Sequence, residues 1–244
     1  MDSIKKVISV ILVVCAVFFM TGCSKDENEL VLVTEAGFAP YEYYEDGEIV
    51  GVDIDIAREI AKELGKELVI KDVSFDFVIN EVKSGKADFA AAGISITPER
   101  KEEVDFTIEY TTSNQVVVVK KGSNIKSFKD IKDKKIAVQL GTVADLYVEE
   151  NYKKATIISH KKYLSAVEDV KTGKADCIIM DELPAKEIVR ENNNLVILDG
   201  ILFQDKYGMI VKKGNDQLKE KINSVLERMI NDGTIQDLIL KHSK

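Results

Sequence analysis

Arg100 is the residue in this chain best placed to hold an anion. It falls in the first turn of a helix whose start is written in Thr97-Pro98-Glu99, with Thr as N-cap, Pro at the first helical position and Glu in the first turn. A helix N-terminus carries unpaired N–H groups and a partial positive charge. A guanidinium can hold a carboxylate through two parallel hydrogen bonds. Ser95 adds a hydroxyl just upstream. Gly141-Thr142 opens another helix directly after the strand-like Lys135–Gln139, which makes a second seat for an anion. The residues around Arg100 also fit a capped surface helix with a solvated arginine, and the local pattern does not choose between the two.

The elements that would position these groups are marked by a repeat. Glu81–Asp88 (EVKSGKAD) returns as Asp169–Asp176 (DVKTGKAD), identical at six of eight positions. Each copy reads as a helix end, a Gly stop and the start of an apolar strand, Phe89–Gly93 (FAAAG) in one and Cys177–Asp181 (CIIMD) in the other. Two copies suggest two α/β lobes. Ligands of open α/β sheets sit outside the carboxyl ends of the strands. Gly93 and Asp181 stand at two such ends, so lobes that face each other would line one cleft with them.

The rest of the chain supports that plan. Leu30–Thr34 is an apolar strand running into a loop broken by Gly37 and Pro40. Asp53 reads as the cap of an amphipathic helix with Ile56, Ile60 and Leu64 on one face. Phe75–Ser84 and Tyr163–Thr172 read as the helices of the two repeats, Ser127 as the cap of a short helix, and Asp181 as the cap of Glu182–Arg190. Leu218, Ile222, Val225 and Met229 form the stripe of a long helix, and Thr234 with Asp237 a capping-box-like start for the last one. Strands and helices alternate, which predicts parallel α/β sheets.

Composition narrows the function. A chain of 244 residues with a formal charge of -8 can bury a real core, and its acidic balance argues against nucleic acid and anionic membrane surfaces as partners. No P-loop, CxxC or HExxH pattern occurs, and two isolated histidines are a poor basis for a metal site or a triad. No cofactor is expected. At the N-terminus, Lys5 and Lys6 precede the apolar run Val7–Met20, which is too short to span a bilayer as a helix. It ends in Met20-Thr21-Gly22-Cys23, which resembles the lipobox of bacterial lipoproteins, with Met20 where Leu is usual. The resemblance implies a signal peptide over residues 1–22, acylation of Cys23 and a polar tether over 23–29. Ordinary secretion with an incidental cysteine is the alternative. Cys15 would leave with the signal, and Cys177 in its apolar strand reads as a small buried hydrophobe, so no pair is left for an intramolecular disulfide.

The order of motifs resembles bacterial extracellular solute-binding proteins of the polar amino-acid type, the capture subunits of ABC importers. It rests on FAPYEY (Phe38–Tyr43), GVDIDIA (Gly51–Ala57), AGISITPER (Ala92–Arg100), VDFT (Val104–Thr107), QLGT (Gln139–Thr142), KADCIIMD (Lys174–Asp181), YGMIVKKGN (Tyr207–Asn215) and DGT (Asp232–Thr234). The resemblance implies a hinged two-lobed periplasmic-binding-protein-like fold of type II, each lobe a sheet flanked by helices. Lobe 1 would comprise 30–112 and 208–244, and lobe 2 would comprise 113–207. It implies a monomer that is lipid-anchored outside the cell membrane, is not an enzyme, and hands an L-amino acid to permease subunits. By the same resemblance Arg100 would hold the ligand's α-carboxylate, with Thr142 and the backbone N–H of Val143 helping from the other lobe. Asp181 would pair with the α-ammonium, Ser95 and the backbone of Gly93 would contact the ligand's polar ends, and Phe38 and Phe75 would sandwich its side chain.

Three residues depart from the family pattern: Glu35 where Asp is common, Val143 where Gly, Ser or Thr is frequent, and Met180 where a polar residue is frequent. All fall where side-chain selectivity would be set. A carboxylate at Glu35 would favour a polar or cationic ligand, unless it points to water from the cleft rim. Asp181 could cap its helix with or without a ligand. Phe38 and Phe75 could instead be core. An enzyme on the same scaffold, similar to cyclohexadienyl dehydratases, or a free-standing amino-acid sensor is the alternative function.

Overall fold

The computed structural model describes residues 26–243. The expected signal segment 1–22 and the acylated Cys23 lie outside the described residues.

The first part of the chain forms β1 (Glu29–Thr34), β2 (Tyr43–Glu45), β3 (Glu48–Val50), α1 (Val52–Glu63), β4 (Glu67–Asp72), α2 (Phe75–Lys83), β5 (Phe89–Ala90), α3 (Pro98–Glu103) and β6 (Val104–Phe106). The middle forms β7 (Thr111–Lys120), β8 (Lys135–Gln139), α4 (Val143–Asn151), β9 (Thr156–His160), α5 (Tyr163–Thr172), β10 (Cys177–Asp181), α6 (Glu182–Glu191), β11 (Leu195–Ile197) and β12 (Phe203–Tyr207). The chain ends with β13 (Ile210–Lys212), α7 (Asp216–Asn231) and α8 (Thr234–His242).

Two large sheets result, one in each lobe, beside a two-stranded antiparallel pair of β2 and β3. In the first, β1 is an almost continuous buried run paired in parallel with β4 and β5, as expected for a strand covered on both faces. β13 then lies antiparallel between β5 and β6. In the second, β8 is parallel to β9 and β10, and β7 runs antiparallel to β10, β11 and β12. The sheets are therefore mixed, where alternation of strand and helix predicts parallel ones. The antiparallel members have a common cause. β7 and β13 arrive from the other lobe without an intervening helix, so no crossover forces them parallel.

The repeat does the same structural work in both lobes. The Asp88 N–H donates to the Val31 carbonyl at 2.8 Å while the Asp88 carboxylate accepts the Val31 N–H at 2.7 Å. The Asp176 N–H donates to the Lys135 carbonyl and its carboxylate accepts the Lys135 N–H, both at 2.8 Å. Each Asp thus ties the end of its repeat to the start of the neighbouring strand. Gly173 ends α5 in the left-handed conformation at φ 80, where a Cβ would be strained.

Helix faces follow the apolar spacing. Ile56 and Ile60 of α1 and Ala166, Val167 and Val170 of α5 are buried. An aliphatic side chain so placed contributes about 1.5–3 kcal/mol. Several local expectations are corrected. Asp53 is the second residue of α1 and not its cap, and its carboxylate is buried, accepting the Tyr110 hydroxyl at 2.7 Å and the Gly93 N–H at 3.1 Å. Ser127 starts a turn closed by Asp130 rather than a helix. Of the strand expected over 89–93 only Phe89 and Ala90 pair as one. Thr234 is inside α8, and its hydroxyl donates back to Asp232 at 2.6 Å.

Candidate functional site

Between the lobes lies a narrow cleft lined from both sides. From the first lobe, Glu35 and Phe38 come from the loop after β1, Phe75 from the start of α2, Gly93 and Ser95 from the turn after β5, and Arg100 from α3. From the second come Thr142 and Val143 at the start of α4 and Asp181 at the end of β10. All the residues to which the sequence reading gave a ligand contact are thus on one wall or the other, but Met180, expected where selectivity is set, is not; it is buried and lines a separate pocket beside Ala36 and Gly37. Glu42, Ala92, Gln139 and Tyr163 also line the cleft and were not singled out.

Arg100 is almost fully buried, not a solvated surface residue. Thr97 caps α3 as its sequence predicts, its hydroxyl oxygen accepting the Arg100 N–H at 3.2 Å. The guanidinium donates to the Ser95 carbonyl at 2.7 Å and, across the cleft, to the Gly141 carbonyl at 3.0 Å. Its carbon lies 5.5 Å from the centre of the Phe75 ring, within cation–π range. Burial lowers the guanidinium's pKa from its ordinary value, and the charges of Asp205 and Asp181 oppose that shift.

Asp181 occupies the N-cap position of α6, but its side chain makes no cap hydrogen bond. One carboxylate oxygen instead accepts the Ser113 hydroxyl at 2.7 Å, the Gln115 amide at 2.6 Å and the Tyr207 hydroxyl. The other has the Tyr163 hydroxyl at 3.4 Å. Three donors on one oxygen fix the group and leave the second oxygen the freer acceptor. Burial raises its pKa despite these donors.

Gly93 needs its glycine. It sits at φ 54, and a Cβ there would meet the Phe38 ring at 2.7 Å. Because its N–H is taken by Asp53, what Gly93 can offer a ligand is its carbonyl. The Ser95 hydroxyl donates to Asp205 at 2.9 Å. Thr142 caps α4, its oxygen accepting the Asp145 N–H at 3.3 Å, and the Val143 N–H opens that helix. Phe38 does not face a second phenylalanine directly. Tyr163 from the other lobe stacks on it at 5.1 Å.

The acids of the cleft are unequal. Glu35 is buried, not at a wet rim, and Lys162 lies 2.7 Å from it. Glu42 is also buried, with no basic or amide donor to either oxygen among the described residues, and its carboxyl lies within hydrogen-bonding reach of the Asp53 carboxylate. Burial first, then the neighbouring charges of Asp53 and Glu35, push the Glu42 pKa well above the usual carboxylate range. Its signal in the sequence is slight: an acid beside Tyr41 reads as a surface residue until the loop is folded inward.

The arrangement is a two-lobed binding cleft with an anion seat on one side and a carboxylate on the other. The chain belongs to the bacterial extracellular solute-binding proteins, family 3, which match residues 30–244. Among its relatives is the arginine-binding extracellular protein ArtP of Bacillus subtilis (strain 168), 29% identical over 96% of each chain. Another is the L-cystine-binding protein TcyJ of Escherichia coli (strain K12), 29% identical over 88% of this chain and 82% of that one. The solved structure of AbpA from Streptococcus pneumoniae, an amino acid ABC transporter substrate-binding protein bound to L-arginine, superposes with a TM-score of 0.85 at 34% identity, covering 88% of this chain and 94% of that one. The protein's work is thus to capture an amino acid outside the cell for an ABC transporter.

Proposed function

We propose that the cleft takes a basic L-amino acid, L-arginine first, and that Glu42 selects it. A buried carboxylate with no basic or amide donor is costly if the incoming side chain is apolar, and a guanidinium would pair with both its oxygens. In the empty cleft its raised pKa favours the neutral acid, and an arriving cation restores the carboxylate. ArtP and the arginine-bound AbpA support the choice, and TcyJ is the reason the choice needs a test.

In this reading Arg100 holds the α-carboxylate together with the Thr142 hydroxyl and the Val143 N–H. Asp181 and the Gly93 carbonyl take the α-ammonium. The stem of the side chain packs against the Phe38 ring on its way to Glu42, and Phe75 backs Arg100. A ligand gripped by both lobes favours the closed state, because the open state lacks half the contacts. A micromolar dissociation constant asks for about 8 kcal/mol, within reach of two desolvated charge pairs and an aromatic contact.

The same reading divides the lobes at 30–112 with 208–244 and at 113–207, treats the protein as a monomer held to the membrane through acylated Cys23, and has the ligand leave unchanged. Calorimetry against arginine, lysine, glutamine, cystine and leucine tests the ligand. Tighter binding of glutamine, cystine or leucine than of arginine would sink the assignment. Mass spectrometry of the recovered ligand tests the absence of turnover. Cys23→Ser tests the anchor, because it should release the protein from the membrane.

A further inference from the structure

We propose that Lys162 is a latch that holds the lobes closed and sets the affinity for every ligand of the cleft alike, without touching the ligand. The proposal rests on the cleft being the ligand site. Lys162 stands just before α5 on the second lobe. Its ammonium lies 2.7 Å from Glu35 and 3.5 Å from Asp72, both on the first lobe. Lys162 keeps 42% of its side chain exposed while that of Glu35 is 2% exposed, so the cation covers the mouth of the cleft from outside. Asp72 is itself fixed, accepting the Ala36 N–H at 2.9 Å and the Tyr44 hydroxyl at 3.3 Å. The adjacent Tyr163 makes the aromatic stack on Phe38. One dipeptide on the second lobe therefore carries both an ion pair and a ring contact across the cleft.

Parting the lobes would take the cation from Glu35. The pair belongs to the closed state alone, so it raises the closed share of the protein. Apparent affinity scales with the fraction of protein in the competent state. A latch of this kind multiplies all affinities by one factor, whereas a residue that contacts the ligand changes them selectively. A ligand leaves through the open state, so the latch acts on dissociation by holding the loaded cleft shut.

The test is Lys162→Met in the full protein. Titrations with L-arginine, L-lysine and L-glutamine should show about a five- to tenfold loss, the same for each ligand that wild type binds. Stopped-flow should place the loss in dissociation. Spin labels at exposed Glu63 and Lys153, one per lobe, should show longer distances in the ligand-free variant than in ligand-free wild type. Lys162→Arg should retain wild-type behaviour, and in a Glu35→Gln background the effect of Lys162→Met should shrink. Lys162→Gln serves if the Met variant does not fold. A loss below about twofold, a loss confined to one ligand, or unchanged label distances would overturn the latch. If wild type binds none of the amino acids, the reading of the cleft fails, and the label distances still decide the latch.

Discussion

The guanidinium of Arg100 reaches across the cleft to the carbonyl of Gly141 at 3.0 Å, one residue before the cap of α4. The group proposed to hold a carboxylate thus points at the helix start proposed to hold it from the other side. Its second contact, to the Ser95 carbonyl at 2.7 Å, keeps the fork oriented within its own lobe.

Arg100→Ala removes that fork together with its charge. Binding of arginine should fall at least about a hundredfold, since stranding one partner of a buried pair costs about 3–5 kcal/mol. The fold should survive, because α3 keeps its Thr97 cap. Calorimetry beside a melting curve checks this, and a loss below about tenfold would remove Arg100 from the clamp.

Glu42→Gln should act on selectivity. The amide cannot hold a guanidinium as the carboxylate does, and arginine should weaken about ten- to a hundredfold. Neutral ligands should change little. The ligand-free variant should melt a few degrees higher, because a buried acid beside Asp53 and Glu35 has been removed. An unchanged ranking of ligands would show that Glu42 does not select.

Gly93→Ala should damage both fold and site. The backbone there has φ 54, and the new methyl would lie 2.7 Å from the Phe38 ring. Strain of this kind costs about 1–3 kcal/mol before Phe38 moves. A lower melting temperature with weaker arginine binding is expected, and a wild-type melting curve would refute the argument.

Asp205 should give the ligand-free protein a pH dependence. It accepts the Ser95 hydroxyl at 2.9 Å and, at 3.4 Å, the Gln115 amide that also serves Asp181. Burial first and the charge of Asp181 second push its pKa up to about 7. A carboxyl with a higher pKa folded than unfolded binds more protons in the folded state, so stability falls as pH rises from about 4 to 7 and levels off above. The slope is at most about 1.4 kcal/mol per pH unit for one such group. Denaturant titrations across that window should be flatter for Asp205→Asn, and equal slopes would exclude the assignment.

Much of this was legible locally. The repeat announced two equivalent helix–Gly–strand units, because glycine stops and apolar runs report backbone geometry directly. Thr97-Pro98-Glu99 and Gly141-Thr142 announced helix starts, because capping is a contact within three residues. Those signals placed Gly93, Arg100, Thr142 and Asp181 at element ends, where a cleft between two lobes would find them.

Partners that meet across the fold were not legible. Asp181 sits where a cap belongs, yet its carboxylate bonds to Ser113, Gln115 and Tyr207 on the two paired crossing strands. Asp53 looked like a cap and instead pins Gly93 and Tyr110. Glu35 looked like the ligand's counter-charge and is paired with Lys162, while Glu42, which local sequence did not single out, is buried against Asp53. The sequence by itself determined which residues end an element and which face of a helix is apolar, because those depend on neighbours a few positions away. Which acid keeps a partner was decided by tertiary structure, because burial and pairing of a charge depend on groups brought from distant chain segments when the lobes close.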